Sequence, residues 1–193
     1  MFIKLLNVVY DTLFPRCCIL CGDLSYCDRD LCLACEKDLP SLSNGCEQCA
    51  LPLPTENTNS KLCAHCLKSP PPYHCTLSLF HYEKPIRRLI SSLKFHNQLG
   101  YAKLFSSLLL EKISSHYQNT QQWPEAIIPV PLHPKRLRQR GFNQALEIAK
   151  PISKRLKIPL DISHCHRVLA TAGQTTLPAD LRPNNVYRAF KIT

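Results

Sequence analysis

The sequence predicts an α/β protein in two unequal modules, a small N-terminal module stapled by metal and a larger domain with a mainly parallel sheet. Three observations carry that prediction. Eight of the 12 cysteines form four Cys-x-x-Cys pairs within 49 residues, three consecutive prolines follow them, and beyond the prolines strand-like and helix-like patterns alternate. At 193 residues the chain has room for one ordinary domain plus a small one without a large core of its own.

Taking the elements in order, Phe2, Leu5, Leu6, Val9 and Leu13 recur at helical spacing and predict a short amphipathic helix. Lys4, Asn7 and Asp11 interrupt its apolar run and no small-residue cleavage site follows, so neither a signal peptide nor a transmembrane segment is expected. Peripheral contact with a membrane surface stays compatible with such a helix. Without a secretory signal the expected compartment is the reducing cytoplasm, where thiols stay available for metal.

The pairs are Cys18/Cys21, Cys32/Cys35, Cys46/Cys49 and Cys63/Cys66. Two thiolates set two residues apart leave a tight turn on the same side, and two such pairs complete one tetrahedral shell. Four pairs therefore predict two zinc ions, each in a closed four-sulfur shell with no position for a reacting water, which makes them structural. Sequential sharing, Cys18/Cys21 with Cys32/Cys35 and Cys46/Cys49 with Cys63/Cys66, is preferred here; an interleaved cross-brace has the same spacing. His65 lies inside the last pair as a conceivable substitute ligand. Cys17, Cys27, Cys75 and Cys165 fall outside the spacing and read as ordinary small residues. No repeat beyond the cysteine pairs is visible, and residues 56–60 read as a polar loop.

Ser69-Pro70-Pro71-Pro72 makes a stiff, extended connector. The domain boundaries follow: 1–69 for the helix and cysteine module, 70–75 for the connector and 76–193 for the second domain. In the latter, residues 76–82 have strand composition. Pro85 opens a helical stripe of Ile86, Leu89, Ile90 and Leu93, and Tyr101, Leu104, Phe105, Leu108 and Ile113 mark a longer helix. Ala126-Ile127-Ile128-Pro129-Val130-Pro131 suits a buried parallel strand ending at its prolines. Phe142, Ala145, Ala149, Ile152 and Leu156 step by three and four, with Pro151 expected to kink the helix.

Charge divides along the same line. Residues 1–75 carry 6 Lys and Arg against 8 Asp and Glu, whereas residues 76–193 carry 18 against 6. The basic character belongs to the second module and points to phosphate-bearing partners. Its densest part is His133, Lys135, Arg136, Arg138 and Arg140, followed by Gly141-Phe142-Asn143-Gln144 at a helix start. Forked arginine donors, a glycine that admits close backbone approach and a helix N-terminus together suit an anion seat. A solvated basic loop is the plainer alternative.

These motifs, with Leu13-Phe14-Pro15 ahead of the first cysteine pair, Leu93-Lys94-Phe95, Ile128-Pro129-Val130-Pro131-Leu132, Arg140-Gly141-Phe142-Asn143-Gln144, Arg167, Gln174, Arg182, Asn185-Val186 and Phe190, resemble the ComF family over nearly the whole chain. In that family a double zinc ribbon precedes a type I phosphoribosyltransferase-like domain. The resemblance implies a phosphate- or ligand-binding set of Lys94, Arg138, Arg140, Gly141, Asn143, Arg167, Gln174 and Arg182, the last three from the hood region. It also implies phosphoribosyl diphosphate with Mg as a candidate ligand.

One departure stands against catalysis. Phosphoribosyltransferases of this type seat the 5-phosphate on a loop after an apolar strand, with two adjacent acids and a Gly/Thr turn. After Tyr82 the acids are Glu83, Glu111, Glu125, Glu147, Asp161 and Asp180, never two in a row. The domain is therefore expected to be C-terminally incomplete, and transferase activity is not expected of this chain alone. Three functions stay open: an accessory protein of natural transformation that contacts single-stranded DNA and competence or recombination proteins, an amidophosphoribosyltransferase-like enzyme, and a zinc-ribbon interaction module.

Overall fold

The structure is a computed structural model that describes residues 16–25, 29–54, 60–118 and 122–193. The expected N-terminal amphipathic helix, Cys27 and most of the polar loop at 56–60 lie outside the described residues. Helix and strand are mixed, and the chain divides into two compact units, residues 1–89 and 90–193.

The first unit is built on a duplication that reaches well beyond the cysteine spacing. In the first copy Cys18 N–H donates to Asp23 O (2.7 Å), Gly22 N–H to Cys18 O (2.8 Å), and Cys17 bridges Leu24. In the second, Cys46 N–H donates to Leu51 O (2.8 Å), Ala50 N–H to Cys46 O (2.8 Å), and Gly45 bridges Pro52. Each copy then ends in a short helix, α1 (Leu33–Lys37) or α2 (Ala64–Lys68), whose N-cap is a cysteine, Cys32 or Cys63. In both, the cap sulfur accepts the N–H of the residue three further on at 3.4 Å. The repeat escapes a residue-by-residue reading because backbone equivalence is kept while side chains differ.

Gly22 and Ala50 occupy the same turn position, and both have positive φ, 82° and 59°. A Cβ at Gly22 would meet nothing within 4 Å, so the cost of Gly22→Ala is conformational alone, about 1–2 kcal/mol. The reverse change, Ala50→Gly, relieves that strain and is expected to be neutral or to stabilise by up to about 1 kcal/mol. Paired denaturation curves at fixed zinc test both signs.

After the prolines the backbone pairs back within the first unit: Leu42 N–H donates to Leu79 O (2.9 Å), His81 N–H to Pro40 O (2.8 Å), and Ser41 bridges Phe80. The strand expected over 76–82 is thus a single antiparallel bridge. Next comes α3 (Ile86–Phe95), with Ile86, Leu89 and Leu93 buried at the predicted spacing.

In the second unit, α4 (Gly100–Tyr117) packs on α6 (Gln144–Leu156). Ala102, Leu104, Phe105 and Leu108 are buried from the first, Ala149 and Ile152 from the second. Helix α6 runs as one element with Pro151 inside it. Between these helices lies α5 (Pro134–Arg140), where a basic loop is the plainer expectation. The start and stop fit a helix: His133 caps it through Nδ1, Pro134 takes the first turn, and Gly141 closes it at φ 82° with its N–H on Leu137 O (2.8 Å).

The sheet departs most from expectation. Among the described residues it consists of β1 (Cys165–Arg167) and β2 (Phe190–Ile192), paired antiparallel. Parallel pairing is limited to one bridge, Ile127 to Leu160, and the run expected to be buried leaves Ile128 and Val130 more than half exposed. Pro129 and Pro131 lack the N–H groups a ladder needs, so bonding stops after Ile127 N–H to Pro159 O (2.8 Å) and Asp161 N–H to Ile127 O (2.9 Å). The remaining elements are turns at Gln174–Thr176 and Ala179–Leu181 and the short helix α7 (Arg182–Val186). Among the described residues no helix is long and apolar enough to cross a membrane.

Candidate functional site

The cysteines converge in two groups, Cys18, Cys21, Cys32 and Cys35, then Cys46, Cys49, Cys63 and Cys66, with all sulfurs of a group within 4.8 Å of one another. The Cys21 and Cys32 sulfurs are 3.7 Å apart, as are those of Cys49 and Cys63. Four sulfurs about 2.3 Å from a tetrahedral zinc stand about 3.8 Å from each other, so the donor set fits zinc in spacing as well as in kind. His65 is in neither group.

Protonation tells the same story. Burial by itself would raise the Cys18 thiol, yet backbone N–H groups of Cys32, Cys21 and Leu20 outweigh it and bring it down to about 6. Those of Cys49, Cys63 and Gln48 bring Cys46 down to about 6 in the same way, again against burial. The last cysteine of each set goes the other way. The sulfurs of Cys21 and Cys32 push Cys35 up; burial, then the sulfurs of Cys49 and Cys63, push up Cys66. Each cluster accepts a first negative charge readily and resists the last, an imbalance that a divalent cation resolves.

The second candidate site lies in the basic unit. Lys94 and Phe95 at the end of α3, Asn97 just beyond it, and Arg136, Gln139 and Arg140 on α5 line a recess of about 230 Å³. The three α5 residues stand at i, i+3 and i+4, hence on one face of the helix. The Arg140 guanidinium lies 5.5 Å from the centre of the Phe95 ring, whose surface is 59% exposed. Lys94 is half-buried, and desolvation, then the charge of Arg140, lowers its pKa. Desolvation, then Arg136, does the same to Arg140. Among the described residues no carboxylate pairs with Lys94, Arg136 or Arg140, and residues 90–193 hold only 5 acids against 15 Lys and Arg. Two of those acids are already engaged, Glu147 with Lys150 (2.7 Å) and Asp161 with His164 (2.8 Å).

Of the ligand residues expected from sequence, Lys94 and Arg140 meet in this recess and the others do not line it. Arg138 is exposed on α5 and points elsewhere along the helix by its spacing. Gly141 closes α5 and Asn143 opens α6. Asn143 caps α6 by accepting the Ala145 N–H (3.0 Å) and donates Nδ2 to Val130 O (3.0 Å), tying the proline-rich run to the helix start. Asn143→Ala removes both bonds and is expected to cost about 1–2 kcal/mol, read as a lower denaturation midpoint, with Asn143→Asp keeping the cap and losing about half as much.

The hood residues are engaged among themselves. Arg167 donates Nη2 to Thr171 Oγ1 and lies 5.5 Å from the Phe190 ring centre. Gln174 Nε2 donates to Arg182 O (3.3 Å), Arg182 Nε to Leu177 O (3.2 Å), and Asn185 Nδ2 to Ala172 O (3.1 Å) and Gln174 Oε1 (3.3 Å). Arg136, Gln139, Phe95 and Asn97 are the recess residues absent from the expected set. Helical spacing within 134–140 is the signal that finds the first two.

Comparison with known proteins agrees with the zinc-ribbon half and identifies relatives over most of the chain. A family model described as a double zinc ribbon domain matches residues 9–72. The DNA utilization protein YhgH of Escherichia coli (strain K12) is 34% identical over 181 residues, which cover 92% of this chain and 78% of that protein. Its Shigella flexneri counterpart is 35% identical with the same coverage. Competence protein F of Haemophilus influenzae is 33% identical over 177 residues, covering 91% of this chain and 76% of the relative. No solved structure matches the chain. With relatives this similar aligned over most of both lengths, and with two four-cysteine groups in place at its front, the chain belongs to the ComF family.

Proposed function

We propose that this chain is an accessory protein of DNA uptake and utilisation in natural transformation, acting in the cytoplasm. In this reading residues 1–69 form a zinc-held module that docks competence or recombination proteins, 70–75 connect it, and 76–193 hold single-stranded DNA by its phosphates. The names of the relatives support the process. The observation that carries the molecular part is the recess, where Lys94, Arg136 and Arg140 converge without a carboxylate among the described residues, so that an added anion would offset the desolvation and like charge that depress Lys94 and Arg140.

Filter retention of a labelled single-stranded oligonucleotide tests this across a salt series. With three cations gathered on one to three phosphates, the slope of log K against log salt is expected between about −0.7 and −2, from about −0.7 per phosphate on single strands. Absence of salt-dependent retention rules the DNA reading out. Phosphoribosyl diphosphate with Mg is the competing ligand for the same cations, favoured by the tie of Asn143 to Val130, which sets a loop against a helix N-terminus as a diphosphate seat requires. Calorimetric titration with that compound separates the two.

A further inference from the structure

We infer that the recess recognises the phosphomonoester end of a DNA strand in preference to the phosphodiesters along it. This rests on the reading that Lys94, Arg136 and Arg140 hold strand phosphates, and it specifies which phosphate.

Charge density is the first reason. Three cations face one recess of about 230 Å³ with no acid among them, and desolvation lowers the pKa of two, helped by the charge of Arg140 on Lys94 and of Arg136 on Arg140. An internal phosphodiester brings a single negative charge with two oxygens free to accept. A terminal phosphate brings a charge of about −1.5 to −2 and three strong acceptor oxygens. The more highly charged group satisfies more of the donors at once, and forked arginine donors favour it further.

Shape is the second. The recess is an open depression between the end of α3 and one face of α5, in which the three cations are gathered around a single spot. An internal phosphate would have to carry a nucleoside past the rim on both sides. A strand end enters with one flank only. The exposed Phe95 ring beside the depression then offers that flank a stacking surface, with Arg140 set against the ring. Asn97 and Gln139 on the lining supply amide donors for oxygens the cations leave unpaired.

The same dianion also occurs on small sugar phosphates, so the test carries an arm for each source. Fluorescence anisotropy of the full chain is measured with one single-stranded oligonucleotide in 5′-hydroxyl, 5′-phosphate and 3′-phosphate forms at fixed salt, with ribose 5-phosphate as competitor. The expected result is an approximately tenfold tighter Kd for a phosphorylated end. That advantage disappears in Arg140→Gln and persists in Arg155→Gln, an exposed arginine of α6 outside the recess. Equal, salt-dependent binding of all three oligonucleotides overturns the end preference and leaves backbone binding standing. Absence of binding to any of them overturns both. Displacement by ribose 5-phosphate at concentrations equal to the oligonucleotide assigns the seat to small sugar phosphates and overturns the strand-end proposal.

Discussion

Cys46→Ser is expected to lower the zinc content of the purified protein from about two ions per chain to about one and to unfold the second ribbon. Cys46 is 1% exposed, and the small core around it consists mainly of other ligands: Cys63 and Cys66, with Cys49, Leu53 and Leu62 packed against them. Little apolar area holds this segment together without metal. Structural zinc sites of this type contribute about 10–16 kcal/mol in apparent binding free energy, which exceeds the whole stability of a small domain. A serine hydroxyl does not ionise as a thiol does and cannot replace the sulfur that backbone N–H groups hold near pKa 6. Colorimetric metal release and far-ultraviolet circular dichroism give the readout. Retention of both ions with an unchanged spectrum would refute the role assigned to this cluster. Because the ligand sets are separate, Cys18→Ser should affect the first ion and spare the second.

The second large effect is on phosphate binding. Lys94→Gln and Arg140→Gln are each expected to weaken single-stranded oligonucleotide binding about tenfold to a hundredfold, the loss of a charge-assisted hydrogen bond worth about 1.5–3 kcal/mol. The double variant should lose more than the sum. The two cations repel each other in the free protein, so removing one lets the survivor recover part of its own interaction. Each single change should also reduce the steepness of the salt dependence by up to about 0.7. Thermal stability should move by no more than about 0.5 kcal/mol, since lost stacking of Arg140 on Phe95 opposes the relief of repulsion. A fall in affinity with unchanged salt slope would show that these residues do not touch phosphate.

The features that the sequence discloses are those in which chemistry requires a residue type at a fixed spacing. Cys-x-x-Cys pairs are such a case, and the helical stripes Ile86, Leu89, Leu93 and Leu104, Phe105, Leu108 are another. The basic stretch shows the opposite. Pro134 and Gly141 bracket a run of good helix formers and mark a helix, but the charge content of Lys135, Arg136, Arg138 and Arg140 suggests a solvated loop. With the helix overlooked, the shared face of Arg136, Gln139 and Arg140 is overlooked too. The sheet illustrates a different limit. The apolar run at 126–131 has the composition of a buried parallel strand, yet pairing depends on N–H groups that its prolines lack and on neighbours that no local pattern supplies. Arg167, Gln174 and Arg182 enter through resemblance alone, and side-chain bonds within their own loop determine where they stand.

The duplicated ribbon has a bearing on how the protein is made. Each metal shell is closed by ligands from one short stretch, residues 18 to 35 and then 46 to 66. An interleaved arrangement would leave the first shell open until Cys49, and the second until the last pair, had been translated. Closing short loops involves little lost chain entropy, and such local contacts form quickly. All four ligands of the first shell are therefore on hand once Cys35 has cleared the ribosome, before the second set has been made.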